Sequence, residues 1–427
     1  MTTDLSVYLD QAQQAGAESA EVYYSRSFSR PVFFEANRLK QLESSESEGV
    51  ALRLWKNGQA GLAVAYGPVE PEILVEKALA LAALNPPNPP RFTKSRQDYR
   101  ESLGEDFSVE QLIEWGQMAI ASLRSEFAEV LCSGELACST DITRLINSEG
   151  LDCTWTERSL SYYLGVEWIR GEDFLAIYDG EQCRGQANVG RVVENLRQRL
   201  LWAEVNQQIR GGKMPILLTS GAASLLWDTV AEALHGQRVA EGSSPWAEKL
   251  RQTVAIEGLN ISQDPTAIPF DCPFDDEGSP TQKLALIKNG KIAQFYTDHE
   301  TAEKLGTTTT GNGFRPSLGS APQPGLVNML IAPGTASFDQ LLKKLDNGLV
   351  VDQILGGGAD ISGDFSINVD LGYRVQNGEI TGRVKDTMVS GNIYELLSQI
   401  IALGSDRRWQ GSCATPSIIL DGVSITA

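Results

Sequence analysis

The stretch GVALRLWKNGQAGLAVAYG, residues 49–67, decides the fold class. Val50, Leu52 and Leu54 fall on one face of an extended chain, because side chains alternate across a strand with a period of two. Asn57-Gly58 then supplies two residues that adopt positive φ readily, as a two-residue hairpin turn demands, and alternation resumes in AGLAVAYG. Upstream, AEVYYSRSFSRPVFFEANRLKQLESSESEG alternates in the same way, so several strands are expected here after an amphipathic helix, DLSVYLDQAQQAG.

Helical spacing returns in PEILVEKALALAAL, which NPPNPP ends. Proline lacks the donor that a helix or central strand requires, so this cluster and the polar RFTKSRQDYRESLGEDFS after it predict a surface connection. SVEQLIEWGQMAIASLRSEF reads as a serine-capped helix, and DITRLINSEGLDCTWTERSLSYYLGVEW as strands about an NSEG turn. In the second half, MPILLTS is a short apolar strand feeding the helix LLWDTVAEALHGQ (225–237), while Asn289-Gly290 and Asn377-Gly378 mark hairpins. Phe365, Ile367, Val369 and Leu371 share a strand face, and these strands and hairpins are expected to form antiparallel sheets. NIYELLSQIIALG predicts a last helix capped by Asn392 and burying Ile393, Leu396, Leu397, Ile400 and Ile401. The reading is an α+β protein of two domains, an N-terminal α+β domain over 1–210 and a sheet-rich domain over 211–427.

At 427 residues the chain is long enough for two cores, and 42% hydrophobic with 21% charged residues is a folded composition. A formal charge of −19 repels phosphate backbones and anionic lipid surfaces alike, so neither nucleic acid nor membrane is an expected direct partner. No run of about 18 apolar residues is present, and the opening has neither the basic nor the apolar region of a secretory signal, so a cytoplasmic location is expected. Six scattered cysteines form no CxxC pair. Cys413 would need an activating base to act as a nucleophile, and the chain has two histidines in all.

Those histidines are His235 and His299. In LLWDTVAEALHGQ, Leu226, Val230, Ala233 and Leu234 cluster on one side with Trp227 at their margin, and Asp228, Glu232 and His235 fall opposite. Two carboxylates and an imidazole on one helical face are possible metal ligands. A solvated face with a histidine near the helix end is the ordinary alternative and is preferred. His299, between Asp298 and Glu300, is expected to be solvated or to begin a helix. Asp275, Asp276 and Glu277, beside Gly278, are read as an acidic turn in preference to a cation site. Gly311, Asn312, Gly313 and Arg315 in TGNGFRP could form a peptide-binding loop, the guanidinium facing a peptide carboxylate; a structural loop is the preferred reading.

Six ordered segments resemble the TldD/PmbA family, metallopeptidase-related proteins also described as modulators of DNA gyrase: EGVALRLWKNGQAGLA, LHGQRVAEGSSPWAEKLRQTVA, FDDEGSPTQKLALIKNGKI, TGNGFRP, ISGDFSINVDLGYRVQNGEI and SGNIYELLSQIIALGSD. In the peptidase branch a helix similar to 225–237 carries HExxxH, and a cysteine near the C-terminus completes a zinc site. The resemblance sets Trp227 and Glu232 at its two histidines and Asp228 at its glutamate, and GSDRRWQGSCATPS is too short for its cysteine loop. The chain therefore resembles the PmbA (TldE) branch, with no catalytic residue and no metal or other cofactor of its own. The resemblance implies a TldD-like zinc peptidase partner, or a homodimer, acting on a peptide substrate. Two rivals are a stand-alone or homodimeric metallopeptidase using Asp228, Glu232 and His235, and a non-enzymatic module that modulates gyrase or a toxin-antitoxin protein.

Overall fold

The computed structural model describes residues 4–185 and 187–427. The architecture is α+β. Its first sheet contains β1 (Ser19–Glu35), β2 (Arg38–Leu42), β3 (Ser45–Lys56), β4 (Gln59–Tyr66), β5 (Arg96–Leu103), β6 (Leu131–Asn147), β7 (Leu151–Arg170) and β8 (Asp173–Cys183). Their order is β4-β3-β1-β6-β7-β5, with β2 on β1 and β8 on β7. Asn57 and Gly58 take φ of 54° and 72°, the conformation of a primed hairpin turn, so Lys56 lies opposite Gln59 and the register predicted for β3 and β4 follows. Helices Ser6–Gln14 and Pro71–Ala82 bury Tyr8, Ala12, Leu74 and Ala78 in a cluster with Val22, Leu52 and Leu54 of the sheet. Val109–Glu126, opened by a Ser108–Gln111 capping box, and Val189–Trp202 pack on another part of it.

The polar stretch after NPPNPP departs from the expected surface connection. It holds β5, which runs parallel to β7 from Arg96 opposite Leu151 to Leu103 opposite Arg158. Its inward residue at the centre is Asp98, buried between Arg96 and Arg100, so the strand has no apolar alternation to betray it.

In the second half, strands Gly212–Leu218, Ile418–Thr426, Thr387–Asn392 and Asp364–Gln376 are successive neighbours, and Gly348–Leu355 pairs with both the first and the last, closing the order into a ring. The strands expected to pair antiparallel do so: Asp364–Gln376 is antiparallel to all three of its neighbours, and two other pairings in this half are parallel. Gly212–Leu218 and Gly348–Leu355 are parallel, Ile216 opposite Leu349, because the helix Phe338–Leu345 delivers the second of them from the same end. Met329–Ile331 and Cys413–Thr415 are also parallel.

The last predicted helix is corrected. Asn392 does cap it, accepting from the backbone N–H of Tyr394 at 3.0 Å, but it spans only Ile393–Leu396. Ile400–Leu403 is a strand, Ile400 opposite Leu420, and Ile401 is turned outward. Pairing with the terminal strand overrides the local helical pattern. One apolar cluster joins the two halves, packing Val32, Leu136 and Leu160 of the first sheet with Leu217, Val350 and Ile419 of the second.

Candidate functional site

The apolar strand Gly212–Leu218 runs into the helix Ser224–Leu234, whose Leu226, Val230, Ala233 and Leu234 are fully buried. Trp227, expected at the margin, lies wholly inside with 1% of its surface exposed. Its indole Nε1–H donates to Thr415 Oγ1 at 2.7 Å, joining the helix to the strand Cys413–Thr415. Asp228 lies on the exposed face of the helix, close enough to Glu232 and Cys413 for their charges to interact; partial desolvation by the protein around its base, then Glu232, raises its pKa. Glu232 is ion-paired with Arg238.

The helical face imagined for Asp228, Glu232 and His235 is not formed. His235 lies past the helix end with φ −65° and ψ 116°, where the chain turns aside to run beside Tyr296. Gly236 N–H donates to the Tyr296 carbonyl at 3.0 Å, and a Cβ on Gly236 would stand 2.5 Å from that oxygen. The imidazole rests edge-on to Tyr296, 5.4 Å between centroids, and its Nδ1 is buried without a partner among the described residues. Burial lowers its pKa.

A zinc ion does not suit this set. An indole nitrogen is a donor only, and that of Trp227 is already committed to Thr415. Glu232 is held in an ion pair with the Arg238 guanidinium. Among the described residues, no group of three or more His, Cys, Asp or Glu side chains is disposed to hold a metal ion. The structure does bring the strand of Cys413 against the helix, a proximity that the short C-terminal loop gave no reason to expect.

The acidic turn and the TGNGFRP loop, read separately in the sequence, meet. Asp275 is completely buried and accepts backbone N–H bonds from Glu277, Ser279 and Gly313 at 2.8–3.0 Å. Asp276 accepts from the Arg315 backbone N–H at 2.7 Å, and Glu277 from that of His299 at 2.9 Å. The Arg315 side chain is 2% exposed, donates to Glu21 Oε1 at 2.5 Å and to the Ser320 carbonyl at 3.0 Å, and lies over the Tyr23 ring. Asn312 is fully buried between Gln263 and the Gly325 carbonyl. Gly311 holds a φ of 70° against the Pro280 carbonyl. The loop is thus tied to the first sheet through β1, and the Arg315 guanidinium is engaged by Glu21 and the Ser320 carbonyl, as in the structural-loop reading. His299, whose backbone opens the helix His299–Lys304, is half-buried, with its Nε2 bonded to Ser279 at 2.8 Å and Thr93 at 3.1 Å.

Burial, with the Asp276 charge adding to it, raises the pKa of Asp275 to about 7, and burial, then the charges of Asp275 and Asp298, raises that of Glu277 well above the carboxylate range. Glu21 shows the reverse: burial opposes its ionisation, but Arg53 and Arg315 hold it below the ordinary value. A cavity of about 790 Å³ opens elsewhere, between β7, β8 and the helix Val189–Trp202 on one side and the second half on the other. At its wall Arg199 Nε meets Asp352 Oδ2 at 2.5 Å, and Thr219 donates to Asp352 Oδ1 at 3.0 Å. No sequence motif announces it.

No described helix is long and apolar enough to cross a membrane. Residues 211–427 match the PmbA/TldA metallopeptidase C-terminal domain and residues 20–82 match PmbA/TldA metallopeptidase domain 1. A protein named Metalloprotease from Methanothermobacter thermautotrophicus is 26% identical over 92% of this chain and 89% of its own length. The Metalloprotease PmbA homolog of Haemophilus influenzae is 24% identical over 99% of this chain and 95% of its own. The crystal structure of TldE from Thermococcus kodakarensis shares the fold, with a TM-score of 0.88, 24% identity and 99% of each chain covered. The two matched segments, the second spanning half of the chain, carry one assignment: the chain belongs to the PmbA/TldD family of metallopeptidase-related proteins.

Proposed function

We propose that this chain is the PmbA/TldE-like subunit of a two-component peptide-cleaving system, assembling with a TldD-like zinc peptidase and helping to hold the peptide. The observation that carries the reading is the state of Trp227. Where the resemblance sets a zinc-binding imidazole, a buried indole is bonded to Thr415, and the neighbouring Glu232 is paired with Arg238. Hydrolysis by a zinc-bound water needs ligands that leave one position open and a carboxylate to take the proton; neither histidine of this chain stands where it would supply them. The long strands of both sheets support a role in presenting an extended peptide through backbone hydrogen bonds. Zinc belongs to the partner in this reading, and the assembly works in the cytoplasm.

The test is co-purification with a TldD-like protein, followed by peptide-cleavage assays of each chain alone and of the mixture. Cleavage in the mixture that exceeds the partner alone, with none by this chain, supports the proposal. Cleavage by this chain alone, with stoichiometric zinc lost on His235→Ala, would establish the stand-alone peptidase. No cleavage in any arrangement would favour the non-enzymatic module.

A further inference from the structure

The cavity between the two halves is used by nothing described so far, and its lining is unbalanced in charge. Four carboxylates face it, those of Asp179, Asp352, Asp370 and Asp406, against two guanidiniums, Arg199 and Arg408, and no lysine or histidine. Each arginine already has an acid: Arg199 bonds Asp352 at 2.5 Å and Arg408 bonds Asp179 at 3.0 Å. Among the described residues, Asp370 and Asp406 have only neutral hydrogen-bond partners, Asp370 the Gln353 amide at 3.3 Å and Asp406 the Ser417 N–H and hydroxyl at 3.0 and 2.6 Å. Arg383, whose charge interacts with Asp370 at longer range, is bonded to Asp173 and the Phe174 carbonyl.

Two further observations point to a ligand. Ser220, 6% exposed, lines the cavity with its hydroxyl unpartnered among the described residues, and Arg408 Nε is buried without an acceptor. The wall also carries four aromatic rings among neutral polar and aliphatic side chains. Trp202 and Phe338 stack at 5.7 Å, and Tyr163 and Tyr178 stand half-exposed beside them.

We infer that this cavity binds an organic cation, the ammonium or guanidinium of a lysine or arginine side chain carried by an extended peptide. Unbalanced carboxylates attract the charge, and ring faces stabilise it as it leaves water. The volume accommodates the side chain and part of its backbone, whose carbonyl would satisfy Arg408 Nε or Ser220. An anion is disfavoured because both guanidiniums are already neutralised. The peptide as source of the cation rests on the function proposed above; the charge selectivity of the cavity does not.

Calorimetric titration of the full chain at low salt tests this with three end-blocked tetrapeptides that differ only in a central lysine, arginine or norleucine, and with 1,5-diaminopentane. The lysine and arginine peptides are expected to bind at least tenfold more tightly than the norleucine peptide. Asp370→Asn should lower the lysine-peptide affinity about tenfold. Leu355→Lys, which places a tethered ammonium at a cavity-lining position that is 61% exposed and therefore tolerant of change, should do the same. Equal binding of lysine and norleucine peptides, or unchanged affinity in both variants with native melting, would overturn the inference. Diamine binding that both variants weaken, without peptide binding, would retain the cation site and sink the peptide-handling reading instead.

Discussion

Changing Trp227 tests the geometry on which the functional reading rests. Trp227→Ala removes an indole that is 1% exposed among Leu226, Val230 and the strands packed over them. Large-to-small core substitutions of this kind cost about 3–5 kcal/mol, the lost transfer energy plus that of the cavity left behind. Trp227→Phe keeps most of the apolar volume but removes the donor to Thr415 Oγ1, leaving that oxygen, in a residue with no exposed surface, without the indole's hydrogen. An abandoned buried acceptor costs about 1–3 kcal/mol. Adding Thr415→Val to Trp227→Phe removes the abandoned hydroxyl, so the double variant should be more stable than the sum of the single losses predicts, by roughly 1 kcal/mol. Urea unfolding followed by circular dichroism measures the parent, the single variants Trp227→Ala, Trp227→Phe and Thr415→Val, and the double variant. Trp227→Ala unfolding at the parental midpoint, or strictly additive losses in the double variant, would show that the indole is not the buried tie between helix and terminal strand.

Three other perturbations probe the joint between the halves and the thiol beside the helix. Arg315→Met leaves Glu21 buried with its counter-charge reduced to Arg53, and should destabilise the chain by about 3–5 kcal/mol in denaturant unfolding, with Glu21→Gln in the same chain restoring part of the loss. Asp275, at about 7, and Glu277 are raised in the folded state, so the unfolded chain releases these protons first and stability should fall as pH rises from about 4 towards 7; Glu277→Gln should flatten that slope, and an unchanged slope would contradict the assignment. Cys413, its thiol held at about 12 by burial and then by Asp228, should react with a disulfide reagent at pH 8 only on unfolding, whereas rapid labelling of Cys413 in the native chain, read by mass mapping, would refute the burial argument.

Period-two alternation and the Asn-Gly pairs determined much of the α+β class by themselves, because positive φ at residues 57, 289 and 377 is a local property that survives any tertiary context. The apolar stripe of 226–234 likewise announced a buried helix face. Local pattern misled at β5, whose buried centre is an aspartate between arginines, and at Ile400–Leu403, where pairing with the terminal strand outweighed helical spacing. The site depended on the tertiary structure alone. Glu21 and Arg315 stand 294 positions apart and Arg199 and Asp352 stand 153 apart, yet each pair shares a buried ion pair. No spacing rule reaches across such distances, since the partners are chosen by how two sheets pack and not by the geometry of one helix or strand. The sequence told which residues could carry charge into the interior; only the closure of the second sheet against the first decided which of them would meet, and which would be left facing an open cavity.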